Sequence, residues 1–283
     1  MLVLSGSSSK NFSFALSKEL NAKYLCAEVK RFPDDECYVR IPKFDDKKVI
    51  LVQNAYPDAK IVELLLLLDA LKEFELEKLI LVVPYMGYAR QDKKFNEGEA
   101  ISARAIAKAI GNCDFIVTVD IHNPEALKFF SIPFKNTTAI KLLGSCVKNF
   151  DIDIAIAPDD GALEKAKLLG KEINCKWTYL EKKRIDGTSV SIKQKKLDVK
   201  QKNVVIVDDI ISTGGTIVAT AELLRKNGAK KVLACCVHGL FAKNAIEKLE
   251  KWCDDIISTD TIENEKTRVS AAPAVVDCIR KLV

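Results

Sequence analysis

The chain has 283 residues, of which 48% are hydrophobic and 29% charged, with a formal net charge of +5. That length exceeds what one core usually fills and predicts two domains of ordinary size. No apolar run approaches the roughly 18 residues of a membrane span, and the lysines alternate with glutamates along helix faces, so neither a membrane nor nucleic acid is an expected partner.

In chain order, "MLVLSGSSSK" carries only a three-residue apolar core and no basic region, so it reads as a first strand rather than a signal peptide, and a cytoplasmic protein is expected. "KVILVQN" is a second buried strand, followed by an amphipathic helix over 61–74, the strand "KLILVVPY", a helix over 101–110 and the strand "DFIVTVD". A break falls over 140–151. The alternation then resumes with "DIAIAP", "NVVIVDD" and "KVLACCV". Strands alternating with helices predict parallel sheets covered on both faces. Because the pattern repeats about equally on each side of the break, two similar α/β domains, 1–142 and 143–283, are expected to pack closely with a site between them. The nine cysteines show no CxxC spacing and lie among apolar neighbours, which predicts buried free thiols and no structural zinc.

"NVVIVDDIISTGGT" is the most informative phrase. Val204–Val207 form a continuously apolar, β-branched strand, and helix-forming residues resume at Ile217. The loop between them lies at the carboxyl end of its strand, where open α/β sheets bind ligands, and its amides open a helix, which favours anions. Neither GxxxxGK[ST] nor GxGxxG is present. A loop of Ser212, Thr213, Gly214, Gly215 and Thr216 without lysine, preceded by Asp208 and Asp209, suits a phosphate joined to hydroxyl groups or to hydrated magnesium. A phosphorylated sugar meets that description. Taken alone, the phrase is also compatible with an Asx-type turn and helix cap.

The phrase resembles the phosphoribosyl pyrophosphate loop shared by phosphoribosyltransferases and ribose-phosphate pyrophosphokinases. Six more phrases are similar to successive signatures of the pyrophosphokinase family: "RFPDDECYVRI", "VVPYMGYARQDKK", "AISARAIA", "VDIHNPEALKFF", "APDDGALEKA" and "HGLFAKNAIEKL". The resemblance runs nearly end to end, and the compact length is similar to the archaeal branch. It implies two phosphoribosyltransferase-like domains, each a mainly parallel sheet flanked by helices. It also implies transfer of the β,γ-diphosphoryl group of ATP to the 1-hydroxyl of ribose 5-phosphate, with Mg2+ as cofactor. A nucleobase phosphoribosyltransferase would share the loop without the ATP phrases. A non-catalytic regulatory relative would keep the fold and lose the lysine phrase, which is intact here.

Residue by residue, the resemblance implies that Lys182 and Arg184 of "YLEKKRIDGTSV" are catalytic, with Arg184 also meeting ribose 5-phosphate. An extended segment would set these two cations on one side, although "EKKR" is equally a common surface string. Phe32, Asp34, Asp35 and Glu36 match the adenine turn, Arg90 and Gln91 the ATP site, His122 and Asp159 the metal ligands. Asp208, Asp209 and 212–216 match the ribose 5-phosphate site. A histidine is an unusual magnesium ligand, since magnesium prefers oxygen. His238 reads as structural. Three departures stand out: Ser212 replaces a common Asp, Asp35 a usual Gly, and Phe95 a frequent Asp. The family further implies a homo-oligomer built from dimers, in which the turn 32–36 completes a neighbour's adenine site.

Overall fold

The computed structural model describes residues 1–184, 190–193 and 198–283, and within 181–184 and 190–193 the backbone alone. The chain divides into two units, one of Met1–Thr138 with Asp260–Ile262 and Ser270–Val283, the other of Ala139–Thr259 with Glu263–Val269.

The first unit runs β1 (Leu2–Ser5), α1 (Lys10–Leu20), β2 (Lys23–Cys26), β3 (Glu28–Arg31), β4 (Cys37–Arg40), β5 (Lys48–Val52), α2 (Asp58–Ala70), β6 (Lys78–Val83), α3 (Ser102–Ala109), β7 (Phe115–Val119) and β8 (Phe134–Thr137). Its sheet has the order β2-β1-β5-β6-β7-β8, every neighbour parallel. Val49–Val52 and Ile80–Val83 are buried throughout, as central parallel strands covered on both faces must be. α2 begins at Asp58, right after Pro57, and ends at Ala70, with a 3-10 turn at Leu71–Glu73 where the helix over 61–74 was expected to continue.

The second unit runs α4 (Ile140–Val147), β9 (Ile154–Ala157), α5 (Leu163–Glu172), β10 (Lys176–Tyr179), β11 (Glu181–Arg184), β12 (Val190–Lys193), β13 (Asn203–Ile211), α6 (Gly215–Lys226), β14 (Lys231–Gly239), α7 (Ala245–Glu250), β15 (Asp255–Thr259) and β16 (Thr267–Val269). Its sheet, β10-β9-β13-β14-β15-β16, is again parallel and repeats the strand order of the first. The stretch 140–151, expected as a break, opens as α4, whose Ile140, Leu143, Gly144 and Val147 are buried and which packs on α5 and β14, and continues as a 3-10 turn at Lys148–Phe150. Each unit also carries an antiparallel hairpin after its second sheet strand, β3–β4 in one and β11–β12 in the other.

The last helix, α8 (Pro273–Arg280), belongs to the first unit, where it packs on α1 and β7. Arg280 Nη2 donates to the Glu19 carbonyl at 2.9 Å, and Asn54 Nδ2 donates to the Thr261 carbonyl at 2.8 Å. Of the nine cysteines, all free, only Cys235, Cys236 and Cys253 are buried; the other six are half-buried. Among the described residues no helix is long and apolar enough to cross a membrane.

Candidate active site

In each sheet the strand order reverses beside the first strand, between β1 and β5 and between β9 and β13. Crevices at such points, outside the carboxyl ends of the strands, are where open α/β sheets take ligands.

In the second unit, β13 does not stop at Val207. It continues through Asp208 and Asp209 to Ile211, in register with β14 as far as Gly239. The acids therefore sit within a paired strand, and only Ser212–Gly214 remain as loop. Asp209 is 3% exposed, and its Oδ1 lies 3.3 Å from Lys165 Nζ on α5. Its backbone N–H donates to Asp208 Oδ1 at 2.8 Å. Burial, then the neighbouring Asp209 carboxylate, raise the Asp208 carboxyl well above the usual carboxylate range, while Lys165 pulls the other way.

Gly214 takes the left-handed conformation at φ 76 and precedes α6, a twelve-residue helix with no acidic residue in its first turn. Gly215 and Thr216 open that helix and are exposed. A Cβ on Gly215 would meet nothing within 4 Å, so the space above these amides is open. Asp159 stands at the end of β9, the strand next to β13, half-buried and extended at φ −158, where it precedes the 3-10 turn Asp160–Ala162. Lys182 and Arg184 lie two apart on β11, in register with Ile192 and Val190 of β12; their side chains fall outside the described residues.

In the first unit, Phe32–Glu36 form the turn of the β3–β4 hairpin, closed by Phe32 N–H to the Glu36 carbonyl and Asp35 N–H to the Phe32 carbonyl, both 2.9 Å. Asp35 adopts φ 70, the left-handed region in which glycine is most at ease and Asp is tolerated. Phe32 is 49% exposed and meets Tyr38 edge to face at 5.7 Å. Arg90 is exposed and Gln91 half-buried after β6, with Gln91 Oε1 accepting from the Ser102 hydroxyl at 3.0 Å. His122 is exposed after β7. The loops after β6 and β7 are joined by Asn123 Nδ2 donating to Asp92 Oδ2 at 2.8 Å. Phe95 is exposed, its N–H held by Glu99 Oε2 at 2.8 Å.

The sequence profile of the N-terminal domain of ribose phosphate pyrophosphokinase matches residues 1–113, and that of the phosphoribosyl transferase domain matches residues 136–273. The ribose-phosphate pyrophosphokinase of Thermococcus kodakarensis is 44% identical over 275 residues, covering 96% of this chain and 98% of the relative. The chain belongs to the ribose-phosphate pyrophosphokinase family. The family member of Methanopyrus kandleri is 40% identical over 100% of this chain and 99% of its own. Among solved structures, the phosphoribosylpyrophosphate synthetase of Mycobacterium smegmatis is similar with a TM-score of 0.82 at 28% identity, covering 99% of this chain and 98% of that one.

Within this family fold, the second unit gathers Asp159, Asp208, Asp209 and 212–216 at one end of its sheet, and the first unit carries the turn 32–36, Arg90, Gln91 and His122. Lys165 was not among the sequence candidates. Its signal was faint: a lysine inside "APDDGALEKA" reads as helix surface until α5 is laid against β13. His238 is 1% exposed on β14, opposite Ile210, consistent with a structural role.

Proposed function

We propose that this chain is a ribose-phosphate pyrophosphokinase, with ribose 5-phosphate held by its second half (143–283) and ATP served by residues of its first (1–142). The observation that carries the reading is the acid pair Asp208–Asp209, the first half-buried and the second buried, leading through Ser212–Gly214 to the exposed Gly215 and Thr216, in a chain related to this family over 96% of its length. The amides suit the 5-phosphate, and Asp208 and Asp209 suit the ribose hydroxyls.

In the reaction, the 1-hydroxyl oxygen of ribose 5-phosphate bonds to the β-phosphorus of ATP. The bond from that phosphorus to the α,β-bridging oxygen breaks, AMP leaves, and the hydroxyl proton is lost. Such transfer gives a protein little covalent chemistry to do, so positioned charge supplies most of the rate. We assign that role to Lys182 and Arg184, the adenine contacts to Phe32, Asp34, Asp35 and Glu36, and further ATP contacts to Arg90 and Gln91.

Magnesium fits the donors available. Among the described residues no group of three or more acidic, histidine or cysteine side chains is gathered. A magnesium ion that keeps most of its waters needs only one or two protein donors besides substrate phosphates. Asp159 offers a carboxylate at a strand end of the second unit, and His122 is exposed in the first; each is assigned a metal-ligating role. When bound, the ion supplies neutralisation of polyphosphate charge. A homo-oligomer built from dimers, with the turn 32–36 lent to a neighbour, and a cytoplasmic location complete the proposal. Incubation with ATP, magnesium and ribose 5-phosphate, with AMP resolved from ADP, tests it: AMP with a diphosphorylated sugar is expected, and ADP alone would reject it.

A further inference from the structure

The two units share one plan and differ where their strand orders reverse. In the first, Ser5 pairs with Val52, so Gln53 and Asn54 follow β5. In the second, the pairing of Ile156 with Ile206 sets Ala157 beside Val207, and Asp208 and Asp209 follow. Counting on from the first strands, Ser7 stands where Asp159 stands. The carboxylates of the second crevice thus have amides and a hydroxyl as counterparts in the first.

One carboxylate does reach the first crevice, and it comes from α2. Glu63 is 1% exposed, on a helix otherwise buried through Ile61, Leu64, Leu67 and Leu68. Its Oε1 accepts the Ser7 N–H at 2.7 Å, and its Oε2 accepts the Ser7 hydroxyl at 2.7 Å and pairs with Lys60 Nζ at 2.9 Å. Beside it, Gln53 Oε1 accepts from the Ser8 N–H at 3.2 Å and the Ser8 hydroxyl at 2.7 Å. Gly6 makes room for this, since a Cβ there would lie 2.2 Å from Gln53 Oε1. A main-chain N–H, a hydroxyl and an ammonium converge on one buried carboxylate, the donor set that would otherwise suit a phosphate. When the buried positions of α2 and α6 are aligned, Ile61, Leu64 and Leu68 with Ile217, Thr220 and Leu224, Ala219 falls opposite Glu63. The second unit has no such intruding side chain at that position.

We propose that Glu63 is a built-in anion that closes the crevice of the first unit, and that it thereby decides which half of this duplicated fold admits a sugar phosphate. A buried carboxylate persists only when paired and hydrogen-bonded, and here it is both. An incoming phosphate would have to displace a carboxylate tethered at high effective concentration and carrying the same sign of charge. The admission of sugar phosphate to the second unit rests on the proposed function; the closure of the first does not.

Glu63→Ala tests the closure. With the Lys60 charge and the Ser7 donors deprived of their carboxylate, although Lys60 Nζ still donates to Ser7 Oγ, Tm should fall by roughly 5 °C or more in chloride. Phosphate at matched ionic strength should return about half of that loss or more, after subtraction of the wild-type response. Glu63→Gln, which fills the same space without charge, should show no such recovery. An equal phosphate response in Glu63→Ala and wild type overturns the proposal. If Glu63→Ala does not fold, equilibrium dialysis of ribose 5-phosphate decides between wild type and Gly215→Val, whose second-unit loop is obstructed. Wild type should take up about one molecule per chain, and Gly215→Val should bind it at least about tenfold more weakly. A second molecule per wild-type chain overturns the closure, whereas no binding to wild type would count against the proposed function alone.

Discussion

Lys165 Nζ and Asp209 Oδ1 stand 3.3 Å apart, with side-chain exposures of 19% and 4%, and this pair divides the two adjacent acids of β13 into unlike roles. Successive strand residues point to opposite faces, so a cation that reaches Asp209 from α5 leaves Asp208 to face burial and its charged neighbour. Burial, then the Asp209 carboxylate beside it, raise the Asp208 carboxyl.

The raised carboxyl sets a pH dependence. A folded pKa above the ordinary 3.8 means that protonated Asp208 favours the native state; that contribution is full below the ordinary value and is lost as pH rises through the folded one. Once ionised, the wild-type carboxyl therefore destabilises the fold. Asp208→Asn should raise Tm by about 2–4 °C at neutral pH, and the gain should vanish toward about pH 4, where the wild-type carboxyl is protonated. Thermal melts at both pH values measure this, and activity should fall in the same variant.

Lys165→Met should destabilise the chain by about 2–3 kcal/mol, because it leaves a buried carboxylate without its counter-ion. Lys165→Arg, which keeps the charge, should recover most of that loss. Denaturant titrations of the three proteins compare them, and equal midpoints would reduce the ion pair to a surface contact.

The adjacent glycines should separate fold from ligand. Gly214 has φ 76, and a Cβ there would lie 3.4 Å from Ala245 Cβ and Leu249 Cγ. Gly214→Val should cost about 2 kcal/mol or more of stability. Gly215 has open space and no positive φ. Gly215→Val should leave Tm within about 2 °C of wild type and raise the KM for ribose 5-phosphate at least about tenfold, with ATP binding largely intact. Collapse of ATP binding with normal sugar-phosphate binding would reverse the ligand assignment.

How much of this was legible in the sequence depended on how each signal is encoded. The central strands were plain because burial on both faces leaves continuous apolar runs such as Val204–Val207. The further reach of β13 was signalled only by Ile210 and Ile211, which resume the apolar run after two charges that normally end a strand. The hairpins β3–β4 and β11–β12 were not drawn as strands; β3 and β4 are half-buried at most, with three charges among the four residues of β3 and an arginine ending β4. Nothing periodic announces that α8 returns to the first unit, since a connection's destination is a property of topology. Glu63 escaped notice because one acid in "IVELLLLL" reads as a solvent-facing position paired with Lys60, whereas its other partner, Ser7, lies 56 residues away.

The proposed sharing of the adenine turn between subunits makes a quantitative prediction. A Phe32→Ala, Asp34→Ala chain and a Lys182→Ala chain, each expected to be about a hundredfold or more reduced in activity, are unfolded and refolded together. In a mixed dimer one site carries both defects and the other neither. With random pairing, about a quarter of wild-type activity should return. Activity that stays at the level of the separate variants, with subunit exchange demonstrated, would reject the shared turn.

The central claim is that two phosphoryl groups move together, and ATP labelled at the β-phosphorus tests it most directly. With magnesium and ribose 5-phosphate, the label should pass entirely to the sugar as a 1-diphosphate, leaving unlabelled AMP. Label retained in the nucleotide as ADP would show transfer of the γ-phosphoryl group alone and contradict the account.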